Sequence, residues 1–149
     1  MGILSTAELR DFYAEYVAAW NRRDMERYYS LYSENLVFRD GIEVLHGVDA
    51  LRERYESELA AFPDLTIECK RLLVDEGTQT LAAENLERGT HSGDLVVSGE
   101  RLPPTGRRLE LRGALFLTLD EDGRIAEMSE YIDPGQVLAQ LRPEIRPEQ

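Results

Sequence analysis

The 149-residue sequence is poor in cysteine and histidine, with one and two of them respectively, and poor in positive charge. A lone Cys69 cannot form an intrachain disulfide, and it excludes metal sites built on several cysteines. His46 and His91 lie far apart and lack ligand spacing, so a protein metal site is not expected; the activity expected below is likewise one that needs no cofactor. Seventeen Lys and Arg against 29 Asp and Glu leave a net charge of −12. That disfavours nucleic acid, whose phosphates need basic partners, and disfavours docking on anionic lipid. No apolar run reaches the roughly 18 residues of a membrane span, and no basic-then-apolar leader opens the chain. A soluble, unexported, cytoplasmic protein is therefore expected. Internal repeats, low-complexity tracts and linkers are also missing.

What is present is a 42% apolar composition, enough for a packed core. The length suits one domain over residues 1–149, with a core at about 5–141 and a polar tail at 142–149. Ser5-Thr-Ala-Glu8 reads as a capping box opening a helix. Leu9, Phe12, Tyr13, Tyr16, Val17 and Trp20 follow at helical spacing. Asp24 can cap a second helix carrying Met25, Tyr28, Tyr29, Leu31 and Tyr32. A short strand, Leu36 to Asp40, leads into a turn at Gly41, and Gly47 to Ala60 reads as a third helix.

The second half has strand character. Leu65 to Asp75 and Thr78 to Ser92 read as strands, the faces of the latter left open between Glu84 and Asn85. Pro103 and Pro104 bar the stretch from Gly93 to Gly106 from a central strand. Leu109, Leu111, Leu115, Leu117 and Leu119 alternate, and Asp120 to Gly123 makes a hairpin turn. Arg124 to Ile132 is the last strand, and Asp133-Pro134 starts a short helix through Leu141. Helices first and antiparallel strands later imply an α+β fold with helices on one face of a curved sheet.

Two carboxylates fall on apolar faces. Leu36, Phe38 and Asp40 share one side of their strand; Ala126, Met128, Glu130 and Ile132 share one side of theirs, with Ile125, Glu127, Ser129 and Tyr131 on the other, so that either side of the last strand could be the inner one. A carboxyl group in apolar surroundings is held towards its neutral form, which suits general acid/base work. Tyr16, on the stripe of the first helix, could donate to a developing oxyanion. Plainer readings stand beside these. Asp40-Gly41 is a common turn pair, Glu130 could be solvated or paired with Arg112 across strands, and Tyr16 could be core. His91 could be only a turn histidine.

With "AAWNRRD", "YYSLYSENLVFRDG", "HGVDALRERY", "FPDLTIE", "RGTHSGDL", "PPTGRR" and "DEDGRIAEMSEYID" in this order, nearly the whole chain resembles the SnoaL-like polyketide cyclases. These belong to the nuclear transport factor 2-like and ketosteroid isomerase superfamily. The resemblance implies a cone-shaped, curved mixed sheet packed on three N-terminal helices, a short C-terminal helix, and a homodimer joined through the outer sheet face. It implies Asp40 as base, Tyr16 as carbonyl donor and Glu130 as acid/base, the last where the cyclases usually carry aspartate. The oxyanion-site acid of the isomerases falls on Leu115 here, and the histidine the cyclases use near that position is also missing.

The expected activity is proton abstraction beside a carbonyl of a small hydrophobic molecule, leading to aldol-type cyclisation or isomerisation. Asp40, Glu130 and Tyr16 are the catalytic candidates. Trp20, Phe38, Leu115, Met128, Ile132 and His91 are the substrate-binding candidates. Epoxide opening by paired acids, as an epoxide hydrolase or cyclase, and a non-catalytic small-molecule-binding module are the competing readings.

Overall fold

The computed structural model describes residues 2–142; the polar tail expected from 142 onward lies, after Arg142, outside the described residues. Four helices, α1 (Thr6–Asn21), α2 (Met25–Ser30), α3 (Val48–Ala61) and α4 (Pro134–Leu141), accompany eight strands. These are β1 (Tyr32–Asp40), β2 (Glu43–His46), β3 (Thr66–Asp75), β4 (Thr80–Thr90), β5 (Leu95–Val97), β6 (Glu100–Leu102), β7 (Arg108–Leu119) and β8 (Ile125–Ile132). Six strands form one sheet in the order β2-β1-β8-β7-β4-β3, and β5 and β6 form a separate hairpin. Only the β1–β8 pairing is parallel, so the sheet is mixed. The fold is α+β, a curved sheet wrapped over helices.

Local chemistry sets the helix ends. The Ser5 hydroxyl accepts from Glu8 N at 3.1 Å while the Glu8 carboxylate accepts from Ser5 N at 3.0 Å, completing the capping box. Asp24 accepts from Arg27 N, and Asp133 from Gly135 N with Pro134 behind it. Gln136 and Gln140 of α4 each bond both backbone groups of a β7 residue, Arg112 and Glu110 respectively. They pair the part of β7 that runs past the end of β8, where an open edge would otherwise stand.

Three details differ from the sequence reading. The second helix stops at Ser30, and Tyr32 opens β1 instead of closing the helix. Residues 43–46 form an edge strand, β2, which is short and mostly exposed and so carries no clear alternation. In β8 both Ile125 and Met128 are buried, although strict alternation puts them on opposite faces. The register with β7 slips between Thr118↔Glu127 and Leu119↔Ile125, an extra residue at Ala126 that turns the strand over. The Gly93–Gly106 stretch stays out of the main sheet, as its prolines require.

The core between helices and sheet is rich in rings. Tyr13 stacks on Tyr16 at 5.2 Å between centroids, and Trp20 meets Tyr28 and Tyr55 edge-on at 5.1 and 5.5 Å. Full burial of each such side chain contributes roughly 1.5–3 kcal/mol. On the opposite, outer face of the sheet Phe116 and Tyr131 form an exposed edge-on pair. Among the described residues no helix is long and apolar enough to cross a membrane.

Candidate active site

Because β1 and β8 run parallel in register, Phe38 pairs with Met128 and Asp40 with Glu130. The first couple ends in the core. The second, two residues on, faces the same side where the core opens into a cavity of about 660 Å³. Neighbouring strands lie about 4.8 Å apart, so one small molecule can touch both carboxyl groups. Helix α3 crosses the opening and contributes Arg54 and Glu58, one turn apart, and β4 contributes Glu87. Phe62, Leu65, Leu109, Leu111, Ile132 and Val137 supply much of the apolar wall, and Leu95 to Ser98, on and beside β5, line another side.

Arg54 organises the acids. Its Nη2 donates to Asp40 Oδ2 at 2.6 Å and its Nη1 to Glu43 Oε2 at 2.9 Å, and Nε lies 4.0 Å from Glu58 Oε1. The guanidinium rests over the Phe38 ring, 5.5 Å from its centroid. One cation thus serves several carboxyl groups, and the others are pushed towards neutrality. Burial raises Glu58, Glu87 and Glu130 from the ordinary 4.5 to about 8, with smaller contributions from neighbouring carboxylates. For Glu130 those neighbours are Glu58 and Asp40, partly offset by Arg54. All three keep some accessible surface, which is surface of the concave cavity with protein around it. The site therefore sets Asp40, bonded by arginine, beside a carboxyl group whose burial favours its protonated form. Such a pair can accept one proton and donate another.

Of the sequence-predicted residues, the structure brings Asp40, Glu130 and Ile132 together on the cavity wall. Leu115 lines a narrow crevice adjoining it. The others pack behind the wall. Tyr16 is 2% exposed, and its hydroxyl accepts from those of Tyr28 and Tyr32 at 2.9 and 3.1 Å. Trp20 donates its indole N–H to Leu65 O, Phe38 lies beneath Arg54, and Met128 Sδ sits 3.7 Å from the Tyr32 hydroxyl. His91 is fully buried against Phe62, with Nδ1 bonded to Thr105. The expected wall of large side chains is thus one layer too deep, because alternation gives the face of a strand but not where the core ends and the cavity begins. The pairing of Glu130 with Arg112 is absent: Glu130 stands opposite Leu115, and Arg112 opposite Leu86.

Arg54, Glu58 and Glu87 are site residues that the sequence reading missed. Arg54 and Glu58 follow the helix period on a side that looks solvated in sequence. Glu87 is in step with Leu81, Ala83 and Asn85, a face that starts apolar and turns polar, and that pattern was the available signal. Asn85, not Glu84, faces inward. Among the described residues no cluster of three or more His, Cys, Asp and Glu has metal-binding geometry.

Comparison with known proteins agrees with this architecture. The family model described as SnoaL-like polyketide cyclase matches residues 10–141. AclR from Streptomyces galilaeus, a candidate hydroxylase, is 28% identical with a TM-score of 0.82, over 97% of this chain and 87% of its own. IdmH from Streptomyces antibioticus, a candidate polyketide cyclase, is 26% identical with a TM-score of 0.73, over 90% and 98%. The epoxide hydrolase/cyclase-like enzyme SalBIII, with a role in pyran ring formation in the polyether salinomycin, shares the fold at 22% identity and a TM-score of 0.71, over 85% and 92%. None of the curated proteins compared with the chain matches it.

Proposed function

The chain belongs to the SnoaL-like polyketide cyclase family, and from that premise we propose that it closes a ring in a hydrophobic, carbonyl-bearing small molecule by cofactor-free acid/base catalysis of an aldol addition. One observation carries this reading: Asp40, bonded to Arg54, and Glu130, whose burial favours its protonated form, stand side by side in register at the wall of one cavity. The Asp40 carboxylate takes a proton from a carbon beside one carbonyl. The enolate carbon attacks a second carbonyl of the same molecule, and the Glu130 proton passes to the oxygen that becomes the alkoxide. Asp40 then holds the proton taken from the carbon, Glu130 has lost its own to the alkoxide, and proton exchange with solvent restores both groups. An acid and a base suffice for these steps.

A linear poly-β-carbonyl thioester is the test substrate, with ring closure followed by mass spectrometry. Asp40→Asn and Glu130→Gln should each slow closure by about 10²- to 10⁴-fold. Near-wild-type closure in both variants removes the proposal.

The second reading, epoxide opening by the same two acids, is favoured by one specific feature. The Tyr16 hydroxyl, the donor expected for an enolate, is sealed in the core, and epoxide opening forms no enolate that would call for it. An epoxide incubated in ¹⁸O-water separates the readings, since a labelled diol or a cyclic ether appears only under the second.

A further inference from the structure

At the closed side of the cavity a crevice runs between β4, β7 and β8. It shares Glu87, Leu111, Glu130 and Ile132 with the cavity wall and is floored by Asn85. Two independent features mark it. The first is Gly113, which pairs with Asn85 across the β4–β7 ladder. A Cβ at residue 113 would lie 2.9 Å from Ile132 Cγ1, so glycine at this register position keeps the space open. The second is Asn85 itself, only 5% exposed. Its Nδ2 donates to the Tyr13 hydroxyl at 2.7 Å, whereas its Oδ1 finds no protein donor among the described residues. A buried amide oxygen left without a donor costs about 1–3 kcal/mol, and such atoms ordinarily meet an ordered water.

The free volume is about 10 Å³, on the scale of the roughly 10–15 Å³ that one water needs, and a buried water typically makes about 3 hydrogen bonds. Three residues with polar side chains line the crevice: Asn85, whose Oδ1 lacks a donor, Glu87 and Glu130. The proposed cyclisation uses Glu130 and leaves Glu87 without a part.

We propose that Gly113 and Asn85 build a single-water site at the floor of the cavity, and that this water links Glu87 to Glu130 so that the two share protons. One O–H of the water donates to Asn85 Oδ1 and the other to a carboxyl oxygen. When Glu130 has given its proton away, the water passes one proton to Glu130 and receives one from Glu87. Glu87 becomes the carboxylate and is re-protonated from the cavity. Glu87 is then a positioning and supply residue that need not touch substrate. The water site rests on the cavity geometry alone, whereas the supply of a proton to Glu130 rests on the acid role proposed for Glu130 above.

Crystal structures of the free protein, its Asn85→Leu variant and its Gly113→Ala variant test the idea without a substrate. The wild type should show one well-ordered density peak within hydrogen-bond distance of Asn85 Oδ1 and of both carboxyl groups, and each variant should lose it. Carbon-detected titration of the glutamate carboxyl groups supplies the second readout. Asp40, Arg54 and Glu58 also face Glu130, and neither variant alters them. Loss of a donor to the charged form should raise the Glu87 and Glu130 midpoints by about half a pH unit or more in the variants. A wild-type crevice without density, or a peak that persists in Asn85→Leu, overturns the proposal even if ring closure is real. If Asn85→Leu fails to fold for want of the Tyr13 bond, the wild-type and Gly113→Ala structures decide. Conversely, inactivity on every carbonyl substrate together with a bridging water overturns the proposed function and leaves this site standing.

Discussion

Glu130→Gln should make the protein more stable at neutral and alkaline pH while removing its activity. Gln keeps the size and hydrogen-bonding reach of the side chain and cannot ionise. In the wild type, burial raises Glu130 from 4.5 to about 8, so between those values the unfolded chain releases a proton that the folded chain retains. A folded-state value above the unfolded one means stability is greatest below about 4.5 and falls as pH rises to about 8. At pH 7 the full difference corresponds to about 3 kcal/mol. Water in the cavity screens the group, so a gain of about 1–2 kcal/mol is expected for the variant. For a chain of this size that is a rise in Tm of about 3–6 °C. Thermal unfolding of both proteins at about pH 4 and about pH 8 measures it: the curves should coincide at the lower pH and separate at the higher. An equal Tm difference at both pH values, or a less stable variant at the higher one, refutes the reasoning that Glu130 is held neutral by its surroundings.

Tyr16→Phe should cost about 1 kcal/mol in denaturant unfolding, because it removes a member of the buried hydroxyl trio with Tyr28 and Tyr32, and it should leave turnover within a few-fold. Arg54→Met strips Asp40 and Glu43 of their shared donor. It should cost about 1–3 kcal/mol of stability together with most of the activity, as read by unfolding and by product formation. Gly93→Ala places a Cβ against the backbone carbonyl of Ala60. A loss of about 2–4 kcal/mol in chemical denaturation is expected, against backbone that cannot move aside as a side chain would.

The sequence carried the frame of this fold through local chemistry. The capping box at Ser5, the Asp24 and Asp133 caps and the leucine alternation of β7 act over a few residues, so their spacing is enough to read them. Asp40 and Glu130 were also legible, since a carboxylate in step with apolar neighbours stands out without any knowledge of pairing. What was not legible depends on pairing. The extra residue at Ala126 is a property of the β7–β8 register, and nothing in residues 125–132 alone reveals it. Arg54, Glu58 and Glu87 meet the other acids only because α3 crosses the open end and the sheet's curvature brings β4 round to β8. The depth of the pocket escaped for the same reason: Tyr16 and Trp20 share the inward stripe of α1, but the ring cluster fills the space in front of them.

The account stands on Glu130 carrying a proton beside Asp40 and Arg54 near neutral pH. Carbon-detected NMR of the glutamate side-chain carboxyls, assigned with Glu130→Gln, reports that proton directly. The Glu130 resonance should hold its protonated position well above the usual glutamate range and titrate at about 8. A Glu130 that titrates at about 4.3, as a solvated glutamate does, contradicts the account, because Asp40 would then stand beside a second carboxylate in place of the acid that protonates the alkoxide.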